Sequence, residues 1–159
     1  MIKIKVPMRV KNSCQYSSCC EMGSSSSGAN KKNILLMREF GSLVGQAFQI
    51  RDDLFGYLSH DIGKPSLNDF KQRKMTLPLI YALSKSNSFE KREILKNVKY
   101  FKSVEKIISF VKDKNGIAYS ENKMNAMIIK SKKILNSFPD SVYKESINNL
   151  LDYTINRVK

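Results

Sequence analysis

Apolar side chains recur every three or four residues along most of this chain, and no stretch sustains the two-residue alternation of a strand. The longest such segment runs from about Lys31 to Leu58. Ile34, Met37, Phe40, Val44, Ala47, Phe48, Leu54 and Phe55 keep a helical period there, and Asn30 stands where an N-cap is needed. Gly41 and Gly45 lie one turn apart inside it. Each glycine costs a helix interior up to about 1 kcal/mol, so the pattern predicts a close helix neighbour or a ligand on that face. Upstream, Val10 to Met22 predicts a helix, while Pro7 argues that the first ten residues are irregular. "GSSSSGAN", Gly23 to Asn30, predicts a helix-helix connection. Downstream, Gly63, Pro65 and Asn68 mark Ser59 to Phe70 as a loop. Met75 to Lys85 reads as a helix with Pro78 in its first turn, where proline is tolerated. Amphipathic helices follow over Ser88 to Tyr100, Val104 to Lys114, Tyr119 to Phe138 and Ser141 to Arg157, punctuated by Asn115-Gly116 and Pro139. The fold class is all-α, and residues 1–159 suit one domain.

Composition narrows the picture. The 159 residues are 42% hydrophobic, enough to build a core. No apolar run approaches the roughly 20 residues of a membrane span, and the N-terminus lacks the apolar centre of a secretory signal. The expected location is the cytoplasm, without stable membrane insertion. Cys14, Cys19 and Cys20 fit neither a disulfide framework nor a zinc site, and are expected as small buried residues on a helix. The formal charge of +14 raises binding to nucleic acid or to an anionic membrane. The lysines, however, spread from Lys3 to Lys159, and no nucleic-acid signature accompanies them. The reading is no nucleic-acid partner. An anionic small molecule such as a phosphate suits the charge as well.

The chemistry concentrates in "FQIRDDLFGYLSHDIGKP". On a helix, Gln49, Asp52, Asp53 and Gly56 fall at offsets 0, 3, 4 and 7 and share a face. Adjacent carboxylates repel unless a cation lies between them, and Mg²⁺ is the natural hard cation. Lys64 follows in a Gly-Lys-Pro loop, and Lys71, Arg73 and Lys74 add positive charge before the next helix; Asp69 is a candidate for holding the loop. An acidic helix face with a basic loop is what a metal-diphosphate complex requires. Taken alone, Asp52-Asp53 would read as an exposed acidic pair; Gln49 and Gly-Lys-Pro shift the balance to function. His60, the only histidine, has no nucleophile in a triad-like context. Tyr57 and Tyr81 read as core or rim, and Met37, Met124 and Met127 as packing.

These residues resemble the second aspartate-rich region of trans-isoprenyl diphosphate synthases, the polyprenyl synthetase family. That pattern is Phe-Gln-x-x-Asp-Asp-x-x-Asp, then Gly-Lys-Pro, then Lys-x-Thr-Leu-Pro. Phe48, Gln49, Asp52, Asp53, Gly63, Lys64, Pro65, Lys74, Thr76, Leu77 and Pro78 match it. The resemblance implies that Asp52 and Asp53 bind Mg²⁺ on the diphosphate of an allylic substrate. Gln49 lines the same site, Lys64 contacts the diphosphate, and Lys74 lies near it. Lys11 falls where the family has a substrate-touching Lys-Thr pair, here Lys11-Asn12. Gly56 replaces the third aspartate, and neither an Asp-Asp-x-x-Asp motif nor an Arg-Arg pair occurs in the chain. The expectation is therefore the C-terminal half of an isoprenoid-synthase helical bundle, lacking the N-terminal helices.

The implied reaction is Mg²⁺-dependent head-to-tail condensation of an allylic diphosphate with isopentenyl diphosphate, with half of the metal site missing from this chain. A homodimer or pairing with a complete synthase is the expected assembly. Three other readings stay open: a non-catalytic or regulatory subunit of a heteromeric synthase, a degraded remnant, and a helical binding module unrelated to catalysis.

Overall fold

The structure, a computed structural model, describes residues 10–58, 74–100 and 103–156. Among the described residues there are seven helices and no strand: α1 (Val10–Ser26), α2 (Lys31–Leu58), α3 (Leu77–Ser84), α4 (Ser88–Tyr100), α5 (Val104–Asp113), α6 (Gly116–Leu135) and α7 (Val142–Asn156). The all-α expectation holds. The chain divides into two compact units, one containing residues 52–122 and the other 10–51 with 123–156. The predicted Ser59 to Phe70 loop lies outside the described residues.

In the 52–122 unit, Leu79, Ala82 and Leu83 of α3, Ile94 and Val98 of α4, and Ile107, Ile108 and Val111 of α5 form one apolar cluster with Tyr57. Each buried aliphatic side chain contributes about 1.5–3 kcal/mol. The helix starts are set by local chemistry. Asn87 and Glu90 make a reciprocal capping box: the Glu90 N–H donates to Asn87 Oδ1 at 2.9 Å, and the Asn87 N–H donates to Glu90 Oε2 at 3.0 Å. Ser103 caps α5 through the Lys106 N–H at 3.2 Å. Lys114 pairs with Glu90 at 2.9 Å, and Lys106 pairs with Glu93, tying α4 to α5. The α5–α6 turn is tighter than the sequence predicts. Asn115 adopts a positive φ of 57°, and its carbonyl already accepts the Tyr119 N–H, so α6 begins at Gly116, three residues before the expected Tyr119. Glycine is needed there: a Cβ would stand 2.4 Å from the Pro78 carbonyl oxygen.

In the other unit, α1 and α2 approach closely at Gly41, where a Cβ would lie 2.4 Å from the Tyr16 carbonyl oxygen. This answers the expectation of a close helix neighbour at that glycine. Small polar groups line the seam. The Ser13 hydroxyl lies 2.9 Å from that of Ser42, and Ser17 donates to the Arg38 carbonyl at 3.0 Å. The Tyr16 and Phe48 rings meet with centroids 5.9 Å apart. Phe40, Val44, Ala47 and Ile50 of α2, Met124, Ile128 and Leu135 of α6, and Leu151 of α7 are buried. Lys132 and Asp152 bridge α6 and α7 at 2.6 Å.

Two expectations fail in α1. The helix does not stop at Met22; it continues through the serines to Ser26. Their hydroxyls bond back to carbonyls of the preceding turn, as Ser24 does to Cys20 at 2.8 Å, so serines that look like a linker extend the helix. Gly28, φ 74°, closes its C-terminal turn. There the Gly28 N–H reaches the Ser25 carbonyl and the Ala29 N–H the Ser24 carbonyl, the paired bonds of a Schellman motif. Asn30 then caps α2 through the Asn33 N–H at 2.9 Å, as predicted. The second failure concerns cysteine burial. Cys14 and Cys19 are exposed and only Cys20 is half-buried. The face of α1 against α2 carries Ser13, Tyr16, Ser17 and Cys20, and the other two cysteines lie off it. Burial and the neighbouring Cys19 push the Cys20 thiol pKa upward.

Candidate functional site

Gln49, Asp52 and Asp53 all lie within α2 and are half-buried. Apolar anchors fix that end of the helix: Leu54, Phe55 and Tyr57 are buried around the aspartates. Gly56 is buried as well.

Asp53 has a specific structural partner. Its Oδ2 accepts the backbone N–H of Leu77, the first residue of α3, at 3.3 Å. The reason lies in how α3 begins. Thr76 occupies the N-cap position with extended backbone (φ −78°, ψ 158°), yet its side chain makes no capping bond. Its hydroxyl meets the Tyr57 hydroxyl at 2.5 Å, and both residues are buried. Pro78 has no N–H to satisfy. A carboxylate from α2 therefore takes the part of the cap, and the positive end of the α3 dipole favours its charge. Asp53 and Tyr57, one turn apart on α2, both hold the segment that leads into α3.

Lys74 is half-buried, two residues before Thr76. Lys11 lies in the first turn of α1, with its side chain outside the described set. Lys64 falls outside the described residues, as do His60, Gly63, Pro65, Asp69, Lys71 and Arg73. Of the predicted site residues, the structure brings Asp53 to the start of α3 and keeps Gln49 and Asp52 in the same helix. Tyr81 is half-buried and stacks on Tyr119 with centroids 3.9 Å apart; Tyr57 and Met124 are core, as read from the sequence.

Among the described residues, the donors near one another on this stretch of α2 are the two carboxylates of Asp52 and Asp53. Among the described residues no group of three or more His, Cys, Asp or Glu could hold a metal as a cage. Two half-buried carboxylates suit a cation that keeps several waters and shares its remaining positions with phosphate oxygens. The Tyr57–Thr76 pair and the Asp53–Leu77 bond are links the sequence reading missed. The signal was present in Tyr57, one turn after Asp53, and in a threonine two residues before Pro78.

Among the described residues, no helix is long and apolar enough to cross a membrane. The family model described as "Polyprenyl synthetase" matches residues 7–113, more than half of the chain. Geranylfarnesyl diphosphate synthase of Aeropyrum pernix is 31% identical over 96% of this chain and 49% of its own length. Heptaprenyl diphosphate synthase component 2 of Bacillus subtilis (strain 168) is 28% identical over 84% of this chain and 39% of its own. The crystal structure of geranylgeranyl pyrophosphate synthase from Bacteroides thetaiotaomicron superposes with a TM-score of 0.83 at 30% identity, over 94% of this chain and 51% of that one. The chain thus spans about half the length of the relatives it matches.

Proposed function

This chain belongs to the polyprenyl synthetase family, and on that premise we propose that it serves Mg²⁺-dependent prenyl transfer, joining isopentenyl diphosphate head to tail to an allylic diphosphate. The observation that carries the reading is the family match across residues 7–113, which contains Lys11, Gln49, Asp52, Asp53, Lys64 and Lys74 together. We read residues 1–159 as part of one such domain, acting in the cytoplasm.

Asp52 and Asp53 are the residues that would hold Mg²⁺. The chemistry such an ion would supply is neutralisation of diphosphate oxygens, which would favour departure of the diphosphate from the allylic carbon. The chain's own residues supply the rest. Lys64 and Lys74 offset the diphosphate charge that remains. Gln49 supplies amide donors and an acceptor beside the carboxylates. Lys11 adds a further cation. The buried side chains around the aspartates, Leu54 and Phe55, keep that end of α2 in place and limit water.

A second reading has its own support. The Bacillus subtilis relative is by name one component of a synthase, and this chain spans half the length of its relatives. On this reading the chain works as a subunit, pairing with a complete synthase or with a second copy. Purified chain is assayed with Mg²⁺, labelled isopentenyl diphosphate and farnesyl diphosphate, alone and mixed with a complete synthase. Turnover by the chain alone supports the catalytic reading. Turnover changed only in the mixture supports the subunit. No turnover and no effect on the synthase marks a remnant and overturns both.

A further inference from the structure

Helix α4 turns Ile94, Asn97 and Val98 into the core of its unit, with Leu95 packed against the same cluster. At 3.6 residues per turn, Phe89, Arg92, Glu93, Lys96, Lys99 and Tyr100 share the opposite arc of about 120°. The two rings near its ends are open to solvent: Phe89 is 78% exposed and Tyr100 60%. Arg92, Lys96 and Lys99 between them are exposed too. The one acid on this arc, Glu93, is engaged by Lys106 from α5. Lys99 Nζ stands 5.3 Å from the Tyr100 ring centroid, so cation and ring form a pair at the C-terminal end.

A single exposed aromatic needs no explanation, and neither does a solvated lysine. The combination does: two rings near opposite ends of one arc, three cations between them and the only carboxylate paired. The rings are about 16 Å apart along the helix axis. A surface that meets both rings and all three cations at once is flat, anionic at its face and apolar just beneath. We propose that this arc of α4 is a peripheral docking surface for an anionic phospholipid bilayer. The rings enter the headgroup boundary, the cations meet phosphate and carboxylate headgroups, and the net charge of +14 draws the chain to the surface. The contact is interfacial and stands independently of the prenyl-transfer reading.

The test uses the full chain and vesicles of phosphatidylcholine with or without phosphatidylserine. The sequence contains no tryptophan, so Phe89→Trp introduces a single reporter. The expected result is co-sedimentation with the phosphatidylserine vesicles only, with blue-shifted emission from the reporter. Arg92→Gln, Lys96→Gln and Lys99→Gln together weaken binding by about a hundredfold, since each charge contributes roughly fivefold. Lys32→Gln, Lys130→Gln and Lys133→Gln remove the same charge from exposed positions elsewhere and change binding by less than about twofold on this account. All six positions are exposed, and unchanged circular dichroism confirms the fold of both triple variants. Equal losses in the two triple variants would mean diffuse attraction and would overturn the proposal. So would an unmoved reporter, equal binding to phosphatidylcholine alone, or displacement from the vesicles by single-stranded RNA.

Discussion

The carboxylate of Asp53 accepts the backbone N–H of Leu77 at 3.3 Å, so a residue of α2 caps α3 from a distance of 24 positions in sequence. The second member of the aspartate pair is thus fastened to the start of α3. A carboxylate has several acceptor sites and can serve a helix terminus and a cation together.

That double duty separates two substitutions. Asp53→Ala removes the acceptor and is expected to cost about 1 kcal/mol of stability, the usual price of a lost cap. Asp53→Asn keeps an acceptor oxygen and is expected to hold stability within about 0.5 kcal/mol of the parent, because Asn caps as well as Asp. Both remove the negative charge, so on the proposed function both are expected to weaken Mg²⁺-dependent diphosphate binding. Denaturant unfolding and ligand titration on the same two variants check the split.

Tyr57 and Thr76 share a buried hydroxyl pair at 2.5 Å. Tyr57→Phe or Thr76→Val alone breaks this buried bond and is expected to cost about 1–3 kcal/mol. The double variant is expected to cost clearly less than the sum, because the second substitution then has no shared bond left to break. A double-mutant cycle by chemical denaturation measures the difference; strict additivity would mean that the bond contributes nothing.

Glycines in this chain carry opposite signs. At Gly23 an added Cβ meets nothing within 4 Å, so Gly23→Ala is expected to stabilise by up to about 1 kcal/mol. At Gly41 and Gly116 it would meet a backbone carbonyl oxygen at 2.4 Å. Gly41→Ala and Gly116→Ala are expected to destabilise by about 1–3 kcal/mol or more, since backbone cannot move aside as a flexible side chain can. Thermal unfolding of the three single variants decides it.

Acid reaches α4 through Glu90. The hydrogen bond from Lys114, then that from the Asn87 N–H, holds its carboxyl below the ordinary value of 4.5. Lys144 acts likewise on Asp140, below 3.8. A carboxyl depressed in the folded state stabilises above its unfolded pKa and loses that contribution as pH falls through the folded one. Stability is therefore expected to decline as pH drops below about 4.5, and Glu90→Gln is expected to flatten part of that decline. Unfolding midpoints measured across that range, at low and high salt, check both the slope and its screening.

The helices were legible where apolar period and punctuation agreed. Asn30 as a cap, Pro78 in a first turn and the Gly41 contact could each be read because one residue type has one local use. The serines of α1 could not. A run of Ser reads as linker by composition, and only the back-bonded hydroxyls turn it into helix. Exposure of Cys14 and Cys19 escaped for a related reason: α1 is polar nearly all round, so its sequence does not announce which face meets α2. At the candidate site the aspartates were visible as an anomaly, two like charges in an apolar helix. The cap that Asp53 gives to α3 was not, because Leu77 is a remote partner that offers only its backbone.

The central claim is that Asp52 and Asp53 hold Mg²⁺ against a diphosphate. It is tested most directly by calorimetric titration of farnesyl diphosphate into the chain, with and without Mg²⁺, for the parent and Asp52→Ala. The account predicts binding that needs Mg²⁺ and weakens by about tenfold or more in the variant, as loss of a charged ligand group implies. Binding that is indifferent to Mg²⁺, or equally tight in Asp52→Ala, would contradict it.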